Sequence, residues 1–186
     1  MNKAFFLDRD GVINEEIGYL HEVDKTVVLD KVASAVKMIH DRGFLVIAVT
    51  NQAGVAKGYY PELDILPVHA AIQRQLLSSG GMDSLIDGWY FCPHHPEFTG
   101  ECACRKPQPG MLKKAAADFD IDLASSFMIG DRMSDLYAGV NAGCAGECLV
   151  LTGYGEKVRE EAEKAGFPIA ADLPGAVEKM LGMGNK

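Results

Sequence analysis

Short unbroken apolar runs alternate along the chain with longer stretches in which apolar residues return every three or four positions. Ala4-Phe5-Phe6-Leu7 is such a run, stopped by Asp8. Its lack of polar alternation predicts a strand buried on both faces. From Leu29 to Arg42, Val32, Ala35, Val36 and Ile39 fall at helical spacing, and Gly43 stands where a helix cap belongs. Phe44 to Val49 predicts a second buried strand ending at Thr50. Pro61 to Leu77 reads as a helix that Pro67 should break or kink. Trp89-Tyr90-Phe91 predicts a third strand ending at Cys92, and Pro109 to Phe119 a helix. Phe127-Met128-Ile129 predicts a fourth strand, ending at Gly130-Asp131. A helix from about Ser134 to Asn141 follows, then a strand over Cys148 to Leu151. Asp172 caps a last helix with an early Pro174.

Strands alternating with helices predict an α/β fold with a largely parallel sheet covered on both faces. The alternation has no low-complexity linker and no repeat, so residues 1–186 read as one domain. In such sheets ligands bind beyond the carboxyl ends of the strands, near the point where strand order reverses. Asp8, Thr50 and Asp131 all fall at those ends, so residues far apart in sequence should converge on one edge.

Composition narrows the classes. The chain of 186 residues is 48% hydrophobic and 24% charged, with a net charge of −8, ordinary for a globular protein. No apolar run approaches the ~20 residues of a membrane span, and the start of the chain shows no signal-peptide pattern. An acidic surface disfavours nucleic acid as a partner, so an anionic ligand needs local cations and backbone N–H groups. The five cysteines are an odd count, which predicts reduced thiols and a cytosolic address. Three of them belong to a Cys92-Pro93-His94 and Cys102-Ala103-Cys104 pair of elements. Three thiolates and one imidazole suit a closed, structural tetrahedral Zn²⁺ site. A disulfide would leave one of the three thiols unexplained. His94 is favoured over His95 because ligands at alternate positions point to one side.

Asp8-Arg9-Asp10-Gly11 sets two carboxylates around one residue at a strand end, where extended backbone aims both one way. An Asx turn would use the same letters, but Asp131 and Thr50 at equivalent strand ends favour a site. Like charges that close need a cation between them, and oxygen ligands favour Mg²⁺. A carboxylate there can attack phosphorus, while its neighbour protonates the leaving oxygen and later deprotonates water. Thr50 and Lys106 would bind the transferring phosphoryl oxygens.

The elements Phe6-Leu-Asp-Arg-Asp-Gly-Val-Ile-Asn14, Val49-Thr-Asn-Gln-Ala-Gly-Val55, Cys104-Arg-Lys-Pro and Met128-Ile-Gly-Asp-Arg-Met-Ser-Asp135 resemble the four motifs of the haloacid dehalogenase superfamily. More closely, the chain resembles the D-glycero-D-manno-heptose 1,7-bisphosphate 7-phosphatases, relatives of the histidinol-phosphate phosphatases. The resemblance runs from Phe5 to about Thr152 and includes the Cys-Pro-His-His-Pro and Cys-x-Cys elements, with a shorter loop between them than in some members. It implies a Rossmann-like three-layer sandwich without a cap domain, carrying an inserted zinc knuckle over residues 92–104.

The resemblance makes Asp8 the nucleophile, Asp10 the acid/base, and Thr50 and Lys106 the phosphoryl stabilisers. Asp8, the Asp10 carbonyl and Asp131 would hold Mg²⁺, with Asp135 orienting its surroundings. Glu16, Gly18, Tyr19, Asn51, Gln52 and Ala53 would border the sugar. Arg105 and Arg132 would bind the retained phosphate, with Lys57 a weaker candidate. The implied activity removes the C7 phosphate in nucleotide-activated heptose biosynthesis for surface polysaccharide, in the cytoplasm, by a monomer. Histidinol phosphate is the rival substrate, although Pro107 to Met111 looks more like the heptose branch. A receiver module storing an aspartyl phosphate needs neither Asp10 nor the knuckle. A partner-binding zinc module would not place Arg105 and Lys106 at a phosphate site. His21, His40 and His69 read as surface or satisfied residues, Cys144 and Cys148 as small buried hydrophobes, and the methionines as core filler.

Overall fold

The computed structural model describes residues 1–183. Strand β1 (Lys3–Leu7) leads through a long loop to α1 (Val32–Asp41) and β2 (Phe44–Asn51). A single turn, α2 (Ala53–Ala56), and α3 (Ile65–Gly80) lead to β3 (Gly88–Cys92). The short α4 (Pro96–Thr99), α5 (Gly110–Phe119) and β4 (Phe127–Gly130) follow, then α6 (Met133–Ala142) and β5 (Gly146–Val150). The last elements are α7 (Gly155–Ala165), β6 (Ile169–Ala170) and α8 (Leu173–Met183).

The six strands form one sheet in the order β3-β2-β1-β4-β5-β6, every neighbouring pair parallel. The chain builds outward from β1 to β3, then returns to the other side of β1 for β4. The strand order therefore reverses between β1 and β4, and the loops leaving those two strands diverge to open a crevice. Leu7 is in register with Ala48 and with Ile129, so β1 and β4 end almost level while β2 runs on to Asn51.

Alternate residues of each strand serve opposite faces. Phe5, Leu7, Val46, Ala48 and Ile129 pack with Val36 and Ile39 of α1, Ile72 and Leu76 of α3, and Val177 and Met180 of α8. Phe6, Ile47, Val49 and Met128 pack with Met111, Leu112 and Ala115 of α5 and Ala138 of α6. A smaller cluster joins Leu136, Leu149 and Ala162, seating α7. The result is the three-layer sandwich expected.

Several boundaries differ from the periodicity. Helix α1 begins at Val32, three residues late, because Lys31 sits in the left-handed region with φ 63°. Pro67 does not break or kink a helix interior. It lies in the first turn of α3, where its missing N–H has no intrahelical partner to lose. The two-residue β6 carries too little pattern to be seen, and α7 is mostly solvent-facing. Asp172 does cap α8, its Oδ1 accepting from the Gly175 N–H at 3.1 Å. Buried methionines include Met111, Met128 and Met180, but Met1 and Met82 are exposed, against the core-filler expectation. His69 is neither at the surface nor satisfied. It is buried, stacked on Trp89 with ring centroids 4.3 Å apart, and neither ring nitrogen has a hydrogen-bond partner. Burial, with a smaller contribution from Arg9, pushes its pKa down to about 3.

Candidate active site

The loop after β1 folds back tightly enough for the Arg9 carbonyl to accept from the N–H groups of Ile13 and Asn14, at 2.8 and 3.1 Å. Asp8 is thereby set at the strand end, its own N–H bonded to the Ile129 carbonyl at 3.0 Å. From the neighbouring strand end, Asp131 enters between two glycines. A Cβ on Gly11 or Gly153 would lie 2.2 Å from Asp131 Oδ2, and Gly11 has φ +86°. Those two glycines are the room in which the carboxylate fits.

Asp8, Asp131 and Asp135 are all buried, and one carboxylate oxygen of each lies within 4.8 Å of the others. Lys106 reaches into this cluster. Its Nζ is 2.8 Å from Asp8 Oδ1, 2.8 Å from Asp135 Oδ1, and donates to the Val49 carbonyl at 2.8 Å. Burial would lower the Lys106 pKa, but the charges of Asp135 and Asp8 outweigh it and hold the ammonium. Three carboxylates face one lysine. Burial, partly opposed by Lys106 and reinforced by Asp135 and Asp131, pushes Asp8 well above the carboxylate range. Burial and the charge of Asp135 push Asp131 up to about 7. Asp131 Oδ2 accepts from the Tyr154 N–H at 2.7 Å, whereas its buried Oδ1 has no hydrogen-bond donor. A buried carboxylate oxygen with no donor, beside two others, suits a small divalent cation. Asp135, expected to orient a metal's surroundings, brings an oxygen into the cluster and pairs with Lys106.

Asp10 points its carboxylate elsewhere. It pairs with Arg9 at 2.9 Å and accepts from Asn14 Nδ2 at 2.9 Å and Gln52 Nε2 at 3.1 Å. Thr50 Oγ1 accepts from the same Gln52 amide at 2.8 Å.

A cavity of about 390 Å³ opens above this floor. Asp8, Asp10, Thr50 and Lys106 line it together with Glu16, Gly18, Tyr19, Asn51, Gln52, Ala53, Arg105 and Arg132. Asp131 lies beneath. The geometry assigns several of these residues a second duty. Asn51 clamps the Lys106 backbone, donating to its carbonyl at 3.1 Å and accepting from its N–H at 3.0 Å. Gln52 is 3% exposed and accepts from the Tyr60 hydroxyl at 2.7 Å. Arg132 pairs with Glu16 at 3.1 Å and stacks on the Tyr154 ring. Lys57 lines the cavity and donates to the Tyr19 hydroxyl at 2.8 Å. Tyr60, His95, Ser134 and Tyr154 also line it and carry no sequence signal for that place, except that Ser134 belongs to the Asp131-to-Asp135 motif.

Beside the cavity, Cys92, His94, Cys102 and Cys104 converge as a group able to hold a metal ion. The three sulfurs lie 2.8 to 3.6 Å apart, and His94 Nδ1 is 3.4 Å from Cys104 Sγ. His95 is not in the group: its Nδ1 accepts from the Glu97 N–H at 3.4 Å, at the start of α4. Arg105 Nη1 donates to the His94 carbonyl at 3.0 Å, tying the knuckle to the cavity wall.

The HAD-hydrolase-like family pattern matches residues 103–176. The chain is 40% identical over 184 residues to the D-glycero-beta-D-manno-heptose-1,7-bisphosphate 7-phosphatase of Escherichia coli K12, covering 95% of this chain and 94% of that one. It is 42% identical over 183 residues to the protein of that name from Photorhabdus laumondii, covering 94% and 95%. The D,D-heptose 1,7-bisphosphate phosphatase of B. bronchiseptica, crystallised with magnesium and phosphate, superposes with a TM-score of 0.85 at 33% identity over 97% of this chain and 99% of that one. The chain therefore belongs to the heptose-1,7-bisphosphate 7-phosphatase family of haloacid dehalogenase-like hydrolases.

Proposed function

We propose that this chain is a Mg²⁺-dependent phosphatase that removes the C7 phosphate of D-glycero-D-manno-heptose 1,7-bisphosphate and leaves heptose 1-phosphate, through an aspartyl phosphate on Asp8. The observation that carries the reading is the buried Asp8, Asp131 and Asp135 cluster with Lys106 bridging Asp8 and Asp135, on the floor of a cavity rimmed by Arg105 and Lys57. Asp8, Asp131 and the Asp10 carbonyl would hold Mg²⁺, which supplies positive charge against the nucleophile and the phosphoryl oxygens.

Asp8 Oδ1 is occupied by the Arg9 N–H at 2.7 Å and by Lys106, so Oδ2 is the oxygen left for attack. As it bonds to phosphorus, the P–O bond to the sugar breaks and its electron pair stays on the sugar oxygen, which takes the Asp10 proton. Water then loses a proton to Asp10 as its oxygen bonds to phosphorus and the Asp8–O–P link opens. Thr50 and Lys106 hold the phosphoryl oxygens through both steps. A primary ester on a short arm reaches Asp8 while the ring stays in the cavity between Glu16, Gly18 and Tyr19 on one side and Asn51, Gln52 and Ala53 on the other. The retained C1 phosphate meets Arg105, with Arg132 and Lys57 near it.

The Cys92, His94, Cys102 and Cys104 group would hold a structural Zn²⁺, with no ligand position left for chemistry. Thiolate ligands fit a reducing, cytosolic compartment, the place of a step supplying nucleotide-activated heptose for surface polysaccharide.

The test is phosphorus NMR of the product from the beta anomer named for the relatives, with kinetics on histidinol phosphate alongside. Phosphate retained at C1 is the expected result. Arg105→Ala should lower kcat/KM for the bisphosphate by about a hundred-fold, and much less for a simple monophosphate, since only the bisphosphate uses the second anchor. A product phosphorylated at C7, or faster turnover of histidinol phosphate, would overturn the reading.

A further inference from the structure

The residue between the two motif carboxylates is an arginine with no exposed surface. Nothing in the chemistry above has it touch the substrate, yet burying a guanidinium is costly unless a charge and hydrogen bonds compensate it. Among the described residues, Asp10 is the one carboxylate it pairs with. Arg9 Nε donates to both Asp10 oxygens, at 3.1 and 3.2 Å, and Nη2 donates to Oδ2 at 2.9 Å. The same Nη2 donates to the Leu20 carbonyl at 3.2 Å, at the end of the segment that carries Glu16, Gly18 and Tyr19. Asn14 and Gln52 complete the grip on the carboxylate, and Tyr60 holds Gln52 in turn. A planar fork against a carboxylate fixes its orientation as well as its place. Lysine, a point charge, would fix only the place.

We propose that Arg9 is a positioning residue for proton transfer: it holds the Asp10 carboxyl group at the angle from which it reaches first the leaving oxygen and then the attacking water. This rests on the acid/base role given to Asp10 above. The ion pair re-forms each time Asp10 gives up its proton, so the group returns to one orientation between the two steps.

The consequence is selective. A sugar oxygen needs a proton as it leaves, whereas 4-nitrophenolate leaves without one. Under single-turnover conditions, Arg9→Gln should slow P–O cleavage of a sugar phosphate by about ten-fold or more. The first-turnover burst of 4-nitrophenolate from 4-nitrophenyl phosphate should change far less. In an Asp10→Asn background the Arg9→Gln change should cost nothing further, because the residue it positions has lost its function. Arg9→Lys should fall with Arg9→Gln, not with the parent.

Equal slowing of both esters, or a loss that multiplies with that of Asp10→Asn, would overturn the proposal. If Arg9→Gln does not fold, Asn14→Ala removes a different donor from Asp10 and keeps the ion pair. It should show a smaller loss with the same dependence on leaving group, and a loss independent of leaving group would count against the proposal. An Asp10→Asn enzyme as fast as the parent on sugar phosphates would instead overturn the role of Asp10, and this proposal with it.

Discussion

At Lys106 one ammonium meets Asp8, Asp135 and the Val49 carbonyl, each at 2.8 Å. Remove it and three buried carboxylates face one another with no cation between them. Uncompensated buried charge costs about 3–5 kcal/mol, so Lys106→Met should lower the melting temperature of metal-free protein sharply. Added Mg²⁺ should recover much of the loss, as a second cation for the same oxygens. A melting curve with and without Mg²⁺ checks this, and a variant as stable as the parent in chelator would contradict it. Asp8→Asn tests the nucleophile. Turnover should fall by about a thousand-fold or more, and the fluoroberyllate adduct of the parent should be lost, while circular dichroism stays unchanged.

At the scale of elements, the knuckle and the strand ends depend on each other. Cys92 ends β3, and Cys104 precedes Arg105 and Lys106 directly. Asn51 at the end of β2 clamps the Lys106 backbone from the other side. A metal ion in the knuckle would thus hold the segment that delivers both cations. Purified protein should contain about one zinc per chain. Cys102→Ser should lower both the melting temperature and the affinity for substrate, which elemental analysis and inhibition by phosphate would measure together. Unchanged affinity in the zinc-free protein would separate the knuckle from the site.

For the whole molecule, the acidic excess is carried mostly at the surface, but Glu147 on β5 is drawn partly inside. Its Oε1 is buried without a partner, close to where a side chain on Gly139 would project. Burial pushes its pKa up to about 7 from an ordinary 4.5. The folded chain therefore keeps this proton over a range in which the unfolded chain has lost it. Its contribution to stability is complete below about pH 4.5, falls as pH rises toward 7, and is lost above that. Glu147→Gln should therefore match the parent near pH 4.5 and exceed it at pH 8, by roughly 1–2 kcal/mol. Asp131 titrates in the same window in both proteins, so the difference between their urea midpoints isolates Glu147. A constant gap across pH would contradict the assignment.

Which residues gather at the strand ends was legible from the sequence, because a parallel sheet puts strand ends on one edge and the polar residues stopping each apolar run are few. Asp8, Thr50 and Asp131 follow from that rule, and the convergence of Cys92, His94, Cys102 and Cys104 follows from their spacing. Their partnerships were not legible. That Asp135 shares Lys106 with Asp8, that Asn51 and Gln52 brace other site residues, and that Arg9 grips Asp10 depend on side-chain directions and on contacts between segments. Arg9 and Gln52 lie 43 residues apart, and no periodicity links them. The same limit explains His69, whose letter suggests a polar place and whose burial against Trp89 is set by how α3 packs on β3. Local pattern determines what each segment becomes. Only packing decides what each side chain meets, since a hydrogen bond between distant residues leaves no mark on either stretch of sequence.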